Sequence, residues 1–298
     1  MKNYVFNPIL LLAIFIFVFS AFLLFSPSFD IQEEMHGYVR SGKYVIGNGI
    51  MVGIATNKVA FLTCRHVVTE KMLETYLSFI DKAMDDNAIC INTKGRGFVY
   101  STISNIDPSR WHFPKEQDLD FAWLILTDKE REHIAADGIL PFIQMPKDSL
   151  FSSIDLINES NFPSEDIDIN AELTTLQFFS PVLGEGDASQ LRYYNVFYKI
   201  PFLNKSIGIT TRRSAKLLSR RTSIRVRSND PINNFDQNQF GYVINIPSHA
   251  NASGSPVFGR RKDGSSALIG AITASNAKQS FFQTLDRVIP QIRETLEQ

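Results

Sequence analysis

The chain has only two cysteines, Cys64 and Cys90, among 298 residues. That excludes a disulfide-framework fold and most structural zinc sites. Neither sign of charge is in excess: 30 Lys and Arg stand against 31 Asp and Glu, a net charge of −1. A bulk nucleic-acid binder needs a basic field, so no nucleic-acid partner is expected. No internal sequence repeat and no low-complexity linker is present. Charged residues make up 20% and hydrophobic residues 44%, which excludes a disordered chain and allows a sizeable core. The length admits two average domains or one large β domain.

One hydrophobic run is long. Residues 8–25 are eighteen positions without a charge, and Ser20 is the only clearly polar one. As a helix they would reach ~27 Å, about the thickness of a bilayer core. Residues 1–29 are therefore expected to be a membrane anchor. A cleaved signal peptide is the competing reading, but its apolar region is usually ~7–15 residues and ends in a small-x-small site. The following Leu-Leu-Phe-Ser-Pro-Ser-Phe-Asp stretch offers none that convinces. Lys2 lies before the run, and Asp30, Glu33 and Glu34 lie after it. This bias directs the N-terminus to the cytoplasm and the rest outside, periplasmic or extracellular. If the leader is cut, the remainder is secreted.

From Tyr38 onward, short runs rich in Val, Ile, Phe, Tyr and Thr are separated by Gly, Asn, Asp or Pro. Examples are 44–54, 59–63, 88–92, 121–126, 174–179, 195–200, 222–228, 241–246 and 267–275. They predict an all-β sandwich or barrel pair with a few added helices. One helix is expected over 69–85. A second is expected over 127–138, behind the capping box Thr127-Asp-Lys-Glu130. Near the end, Phe281, Phe282, Leu285, Val288, Ile289, Ile292 and Leu296 predict a helix face docked on the core, with Pro290 splitting or kinking it. Charge is segregated: 148–172 carries seven acidic and no basic residues, and 205–227 carries eight basic and no acidic ones. These segments fit two complementary solvated surfaces, or an exosite for an acidic protein or anionic lipid headgroups.

Three local patterns occur in a fixed order. Gly47-Asn-Gly-Ile-Met-Val-Gly53 precedes Phe61-Leu-Thr-Cys-Arg-His66-Val-Val. Asp118-Leu-Asp120-Phe-Ala-Trp-Leu follows, and then Asn251-Ala-Ser253-Gly-Ser-Pro-Val-Phe-Gly. Acyl transfer by a serine needs a base for the hydroxyl proton, a carboxylate to hold the imidazole, and backbone donors for the oxyanion. The segments supply one candidate for each part, in the order His66, Asp120, Ser253. Spacings of 54 and 133 residues separate them. An α/β-hydrolase is excluded, because the Gly-x-Ser-x-Gly elbow is absent and the order of that triad differs.

These blocks resemble the chymotrypsin/trypsin-like serine peptidases, and among them the bacterial, envelope-directed members, including the HtrA type. The match runs through Thr63-Cys-Arg-His66-Val-Val, Asp120-Phe-Ala-Trp-Leu124, Ser253-Gly-Ser-Pro-Val257 and Leu268-Ile-Gly-Ala-Ile272. The resemblance implies a chymotrypsin-like double β-barrel over residues 30–298, behind the N-terminal transmembrane helix. It implies a serine endopeptidase acting on polypeptide substrate through His66, Asp120 and Ser253, with no metal or organic cofactor. The N–H groups of Asn251 and Ser253 would form the oxyanion hole. Thr273, Ala274, Ser275 and Asn276 would pair with the substrate backbone. Asp118 competes with Asp120, but Asp120 stands two residues before the Ala, as the family pattern requires.

Two departures from the pattern bear on activity. The family usually has Gly where Asn251 stands, and a catalytically inactive peptidase-fold protein that binds extended peptides is the alternative. Ala252 replaces the Asp that zymogen-activated members carry, so activation by a freed N-terminus is not expected. Pro247 and Ser248 occupy the expected base of the specificity pocket. No carboxylate lies between 245 and 253 or between 270 and 279. A substrate Arg or Lys would bury an unpaired charge there, so a small or apolar residue is expected before the cut. His249 is expected in the pocket loop, and His36, His112 and His133 show no metal spacing. Cys64 is expected to be a buried apolar residue, with a Cys64–Cys90 disulfide open.

Overall fold

The computed structural model describes residues 35–41, 44–69, 87–92, 100–135, 140, 142–145, 172–179, 209–227, 236–246, 252–260, 266–275 and 278–298. The expected membrane span, the strand at 195–200 and the helix beyond Thr69 lie outside these residues. Among the described residues, no helix is long and apolar enough to cross a membrane.

The first half runs β1 (His36–Ser41), β2 (Tyr44–Ala55), β3 (Lys58–Thr63), α1 (Arg65–Val68), β4 (Asn87–Asn92), β5 (Tyr100–Ile103), β6 (Trp111–His112), β7 (Ala122–Ile125), α2 (Asp128–Ala135) and β8 (Ile143–Gln144). The second half runs β9 (Leu173–Phe179), β10 (Ile209–Ala215), β11 (Leu217–Arg227), β12 (Asp236–Ile244), β13 (Pro256–Arg260), β14 (Ser266–Ser275), β15 (Ser280–Thr284) and α3 (Ile289–Glu297). The fold is mostly β, in two sheets. Their ladders are antiparallel apart from a short parallel pairing of β8 with β2.

The sheets share one connectivity. The first is ordered β5-β4-β1-β2-β3-β7-β6 and the second β10-β9-β13-β14-β15-β12-β11. In each, the two end strands are successive pieces of one chain passage. β5 and β6 are separated by a turn of 3-10 helix at Pro108–Arg110, and β10 and β11 by Lys216 alone. Counting each such pair as one passage and setting β8 aside, both halves have, among the described residues, six passages in the cyclic order 1-4-5-6-3-2. No sequence repeat accompanies this repeated path, because a ladder needs apolar alternation and turns rather than particular residues.

The first interior is built round Phe61, which is fully buried. Gly37 and Gly49 are direct partners across β1 and β2. A Cβ on Gly37 would come within 2.8 Å of the Phe61 ring, and one on Gly49 within 2.3 Å. The cross-strand glycine pair thus leaves the ring its space. The second interior centres on Tyr242 and Phe282, whose rings lie 5.5 Å apart.

The C-terminal segment departs from the expected single helix. Phe281 and Phe282 belong to β15, where Phe282 is paired with Tyr242 on one side and Ile272 on the other. The ladder takes this segment from the helix, and α3 starts only at Ile289. Pro290 therefore does not kink it. It sits in the first turn, where a missing N–H breaks no intrahelical bond. Ile289, Ile292 and Leu296 are buried, and α3 packs on β2 and β3. At α2 the capping box forms as expected. The Thr127 N–H donates to Glu130 Oε2 at 2.8 Å, and the Glu130 N–H donates to Thr127 Oγ1 at 3.3 Å.

Candidate active site

Register brings His66 and Asp120 together. β3 and β7 are antiparallel neighbours, and Thr63 is the partner of Ala122 at the end of their ladder. His66 lies three residues beyond Thr63, and Asp120 two residues before Ala122. They therefore leave and enter the sheet at the same edge. The strand starts at Ala122, one residue into the expected 121–126 run, which leaves the Asp120 backbone to bonds outside the ladder.

Asp120 clasps His66 twice. Its Oδ1 accepts the His66 backbone N–H at 3.0 Å, and its Oδ2 lies 2.5 Å from His66 Nδ1. One carboxylate thus sets both the backbone and the ring of the same residue. With Nδ1 bonded to the carboxylate, Nε2 is left to act as a base. The His66 side chain is 26% exposed, against 9% for Asp120. Burial pushes the imidazole pKa down from its ordinary 6.5. The charge of Asp120 and its hydrogen bond outweigh that, and the net shift is upward. Asp118 is turned elsewhere: Arg287 Nη2 donates to its Oδ2 at 2.6 Å.

Ser253 stands at the opposite sheet, on the turn before β13. The Ser255 N–H donates to the Ala252 carbonyl at 3.0 Å, and Gly254 has φ of 84°. Ser253 is not among the positive-φ residues, so this is a type II turn with Gly254 at its third position. A Cβ at Gly254 would stand 1.9 Å from the Asn48 carbonyl oxygen and 2.6 Å from Thr63 Oγ1. The turn is thus pressed onto β2 and the end of β3. A bond to the first sheet holds it there: the Asn48 N–H donates to the Ser253 carbonyl at 2.7 Å, and within that sheet Thr63 Oγ1 donates to the Asn48 carbonyl at 2.6 Å. On the other side, the Gly254 N–H donates to the Ile272 carbonyl at 2.7 Å.

Cys64 is buried and free, as is Cys90, so the open question of a disulfide is answered by two thiols. The Cys64 S–H donates to the Ile272 carbonyl at 3.3 Å. Its Sγ, a His66 ring nitrogen and an Asp120 oxygen all lie within 4.8 Å of one another. Such a set can hold a soft metal only as a thiolate. Here burial, reinforced by the Asp120 charge, pushes the thiol pKa well up, against the pull of the Gly254 backbone bond. The hydrogen-bonded pair of His66 and Asp120 is the arrangement these atoms already make.

Thr273, Ala274 and Ser275 end β14. The last bonds from this strand toward β13 are made at Ile272, which donates to the Ser255 carbonyl at 2.9 Å. The three residues run beyond the start of β13, at the edge nearest Ser253. Asn251, Pro247, Ser248, His249 and Asn276 lie outside the described residues.

Asn48 and Gln283 were missed by the sequence reading. Asn48 is fully buried, and its Oδ1 lies 2.8 Å from Nε2 of the equally buried His36. Burial drives the His36 pKa down to about 4, with the Asn48 bond opposing. The only signal was negative: an Asn inside the 44–54 run expected to be a strand.

No protein-family model and no curated protein matches the chain. Solved structures with a similar course include the inactive form of the Rv3671c protease of M. tuberculosis. It is 14% identical, covers 92% of this chain and 94% of its own, and has a TM-score of 0.45. The apo MamO protease domain from Magnetospirillum magneticum is 10% identical over 88% of this chain and 97% of its own, with a TM-score of 0.47. Neuropsin, a serine protease of mouse brain, is 10% identical over 89% and 96%, with a TM-score of 0.42.

Proposed function

We propose that the chain is a serine endopeptidase of the chymotrypsin-like, double β-barrel kind. The observation that carries this reading is the double clasp of Asp120 on His66, beside a Ser253 turn bonded to the same sheet. Asp120 holds the imidazole by Nδ1, and His66 Nε2 takes the Ser253 hydroxyl proton as Oγ attacks the scissile carbonyl. The N–H groups of Ser253 and Asn251 hold the oxyanion. The tetrahedral intermediate collapses to an acyl-enzyme as His66 returns the proton to the leaving amine. Water, activated by the same imidazole, then frees the enzyme. The edge of Thr273–Ser275 that faces away from β15, continued by Asn276, takes the substrate as an added strand. Pro247 and Ser248 line a pocket for a small or apolar residue. Residues 8–25 anchor the chain, with the peptidase part outside the cytoplasm.

The second reading is a peptide-binding protein on the same fold, favoured by Asn251 where an oxyanion-hole glycine is usual. A fluorophosphonate probe applied to carbonate-washed membranes separates the two. Labelling in the membrane pellet, lost in Ser253→Ala, is expected. Absence of labelling in folded parent protein supports the binder, and a labelled soluble form starting near residue 28 replaces the anchor with a cleaved signal.

A further inference from the structure

One side chain of the second sheet reaches into the first and takes no part in the proposed reaction. Gln283, on β15, is 1% exposed. Its Oε1 accepts the Asp120 N–H at 2.8 Å, and its Nε2 donates to the Asp118 carbonyl at 2.8 Å. The carbonyl of one residue and the N–H of the next but one are the groups that a residue on a parallel strand would engage. A side-chain amide supplies that pairing here, in the segment just before β7 where no ladder reaches. Four residues on, Arg287 binds the Asp118 carboxylate. Gln283 is also the β-ladder partner of Ala271, next to the Ile272 whose carbonyl accepts the Gly254 N–H. One short path through β15 and β14 thus joins the Asp120 backbone to the Ser253 turn.

We propose that Gln283 is a positioning residue. By pairing with the backbone on both sides of Leu119, it sets where the Asp120 carboxylate stands under His66 and how far that pair lies from Ser253. The inference rests on the triad reading of Asp120 and His66. A residue without the amide leaves the buried Asp120 N–H and the half-buried Asp118 carbonyl without this partner. It also frees the 118–120 segment to shift, which loosens the clasp on His66. The titratable and charged groups facing this segment are Asp118, Arg287, Arg65, His66 and Cys64.

The test compares parent, Gln283→Met and Gln283→Asn in the full chain, by peptide turnover and by NMR of selectively 15N-labelled histidine. Gln283→Met is expected to lower kcat about ten- to a hundredfold with KM little changed, since a small misplacement has that effect. The acid limb of kcat/KM and the His66 titration should both move down by about half a pH unit as the Asp120 charge draws away. Gln283→Asn, one methylene too short to span both groups, should fall between, and it serves alone if Gln283→Met does not fold. Parent-like kcat and parent-like His66 titration in a folded variant would overturn the proposal, whatever the loss in thermal stability. An inert parent that the fluorophosphonate does not label, with His66 titration still moved by Gln283→Met, would remove the peptidase reading and leave the positioning role.

Discussion

The two halves follow the same path and do different work. The first half holds a charge pair: His66 and Asp120 flank the end of one β3–β7 ladder, and a carboxylate with two bonds to one residue leaves little freedom. The second half presents a turn whose nucleophile candidate is placed by its carbonyl and by a glycine, not by its own side chain. A Greek-key sheet supplies both kinds of site, because chain exits from neighbouring strands meet at its edge while tight turns close it. The division also explains why contacts between the halves are polar at this seam. Asn48, Thr63, Cys64 and Gln283 each spend a hydrogen bond across it or on the backbone beside it.

Disabling the charge pair without disturbing the turn should have the largest effect. Asp120→Asn should lower kcat by about ten-thousandfold, because the wrong imidazole tautomer is then stabilised. Circular dichroism should be unchanged, and Ser253→Ala should be no more active than Asp120→Asn. Turnover within tenfold of the parent would move the carboxylate role elsewhere.

Next comes the seam itself. Gly254→Ala places a Cβ against the Asn48 carbonyl at a positive φ, so it should separate the turn from the first sheet. A loss of about 3–5 kcal/mol is expected from urea unfolding, with turnover falling by less than in Asp120→Asn. Retained fluorophosphonate labelling in Gly254→Ala would mean that the turn tolerates another conformation.

The smallest effect concerns the first half's interior and depends on pH. The His36 pKa is depressed to about 4 from 6.5, so its contribution is intact above 6.5 and is lost as pH falls through 4. A difference of that size amounts to about 3 kcal/mol. His36→Gln, which retains a partner for Asn48, should flatten the fall in urea midpoint between pH 7 and pH 4.5. An equal slope in both proteins would place the acid sensitivity in groups other than His36.

Much of this was legible beforehand. The Thr127–Glu130 box, the runs that became β2, β3, β4, β9 and β14, and the three chemistry-bearing blocks stand in the sequence because each depends on neighbours in the chain. The β15 segment was misread, since Phe281, Phe282, Leu285 and Val288 recur at a helical spacing. The strand wins because Tyr242 and Ile272 offer ladders on both sides. Asp118 and Asp120 were separable only by a family pattern, whereas in space Arg287 claims one and His66 the other.

The sequence by itself determined the β-rich character, the single long apolar run, the order His66, Asp120, Ser253 and the glycine that the turn requires. These follow from composition, short-range periodicity and local backbone sterics. Only the tertiary structure decided that both halves repeat one path, and that Phe61 fills the space left by a Gly37–Gly49 pair. It also decided that Asn48 and Gln283 spend buried hydrogen bonds across the seam, while His36 bonds Asn48 inside the first half. Those pairings join residues as far apart in the chain as Asn48 and Ser253, and a buried polar group chooses its partner by position in space.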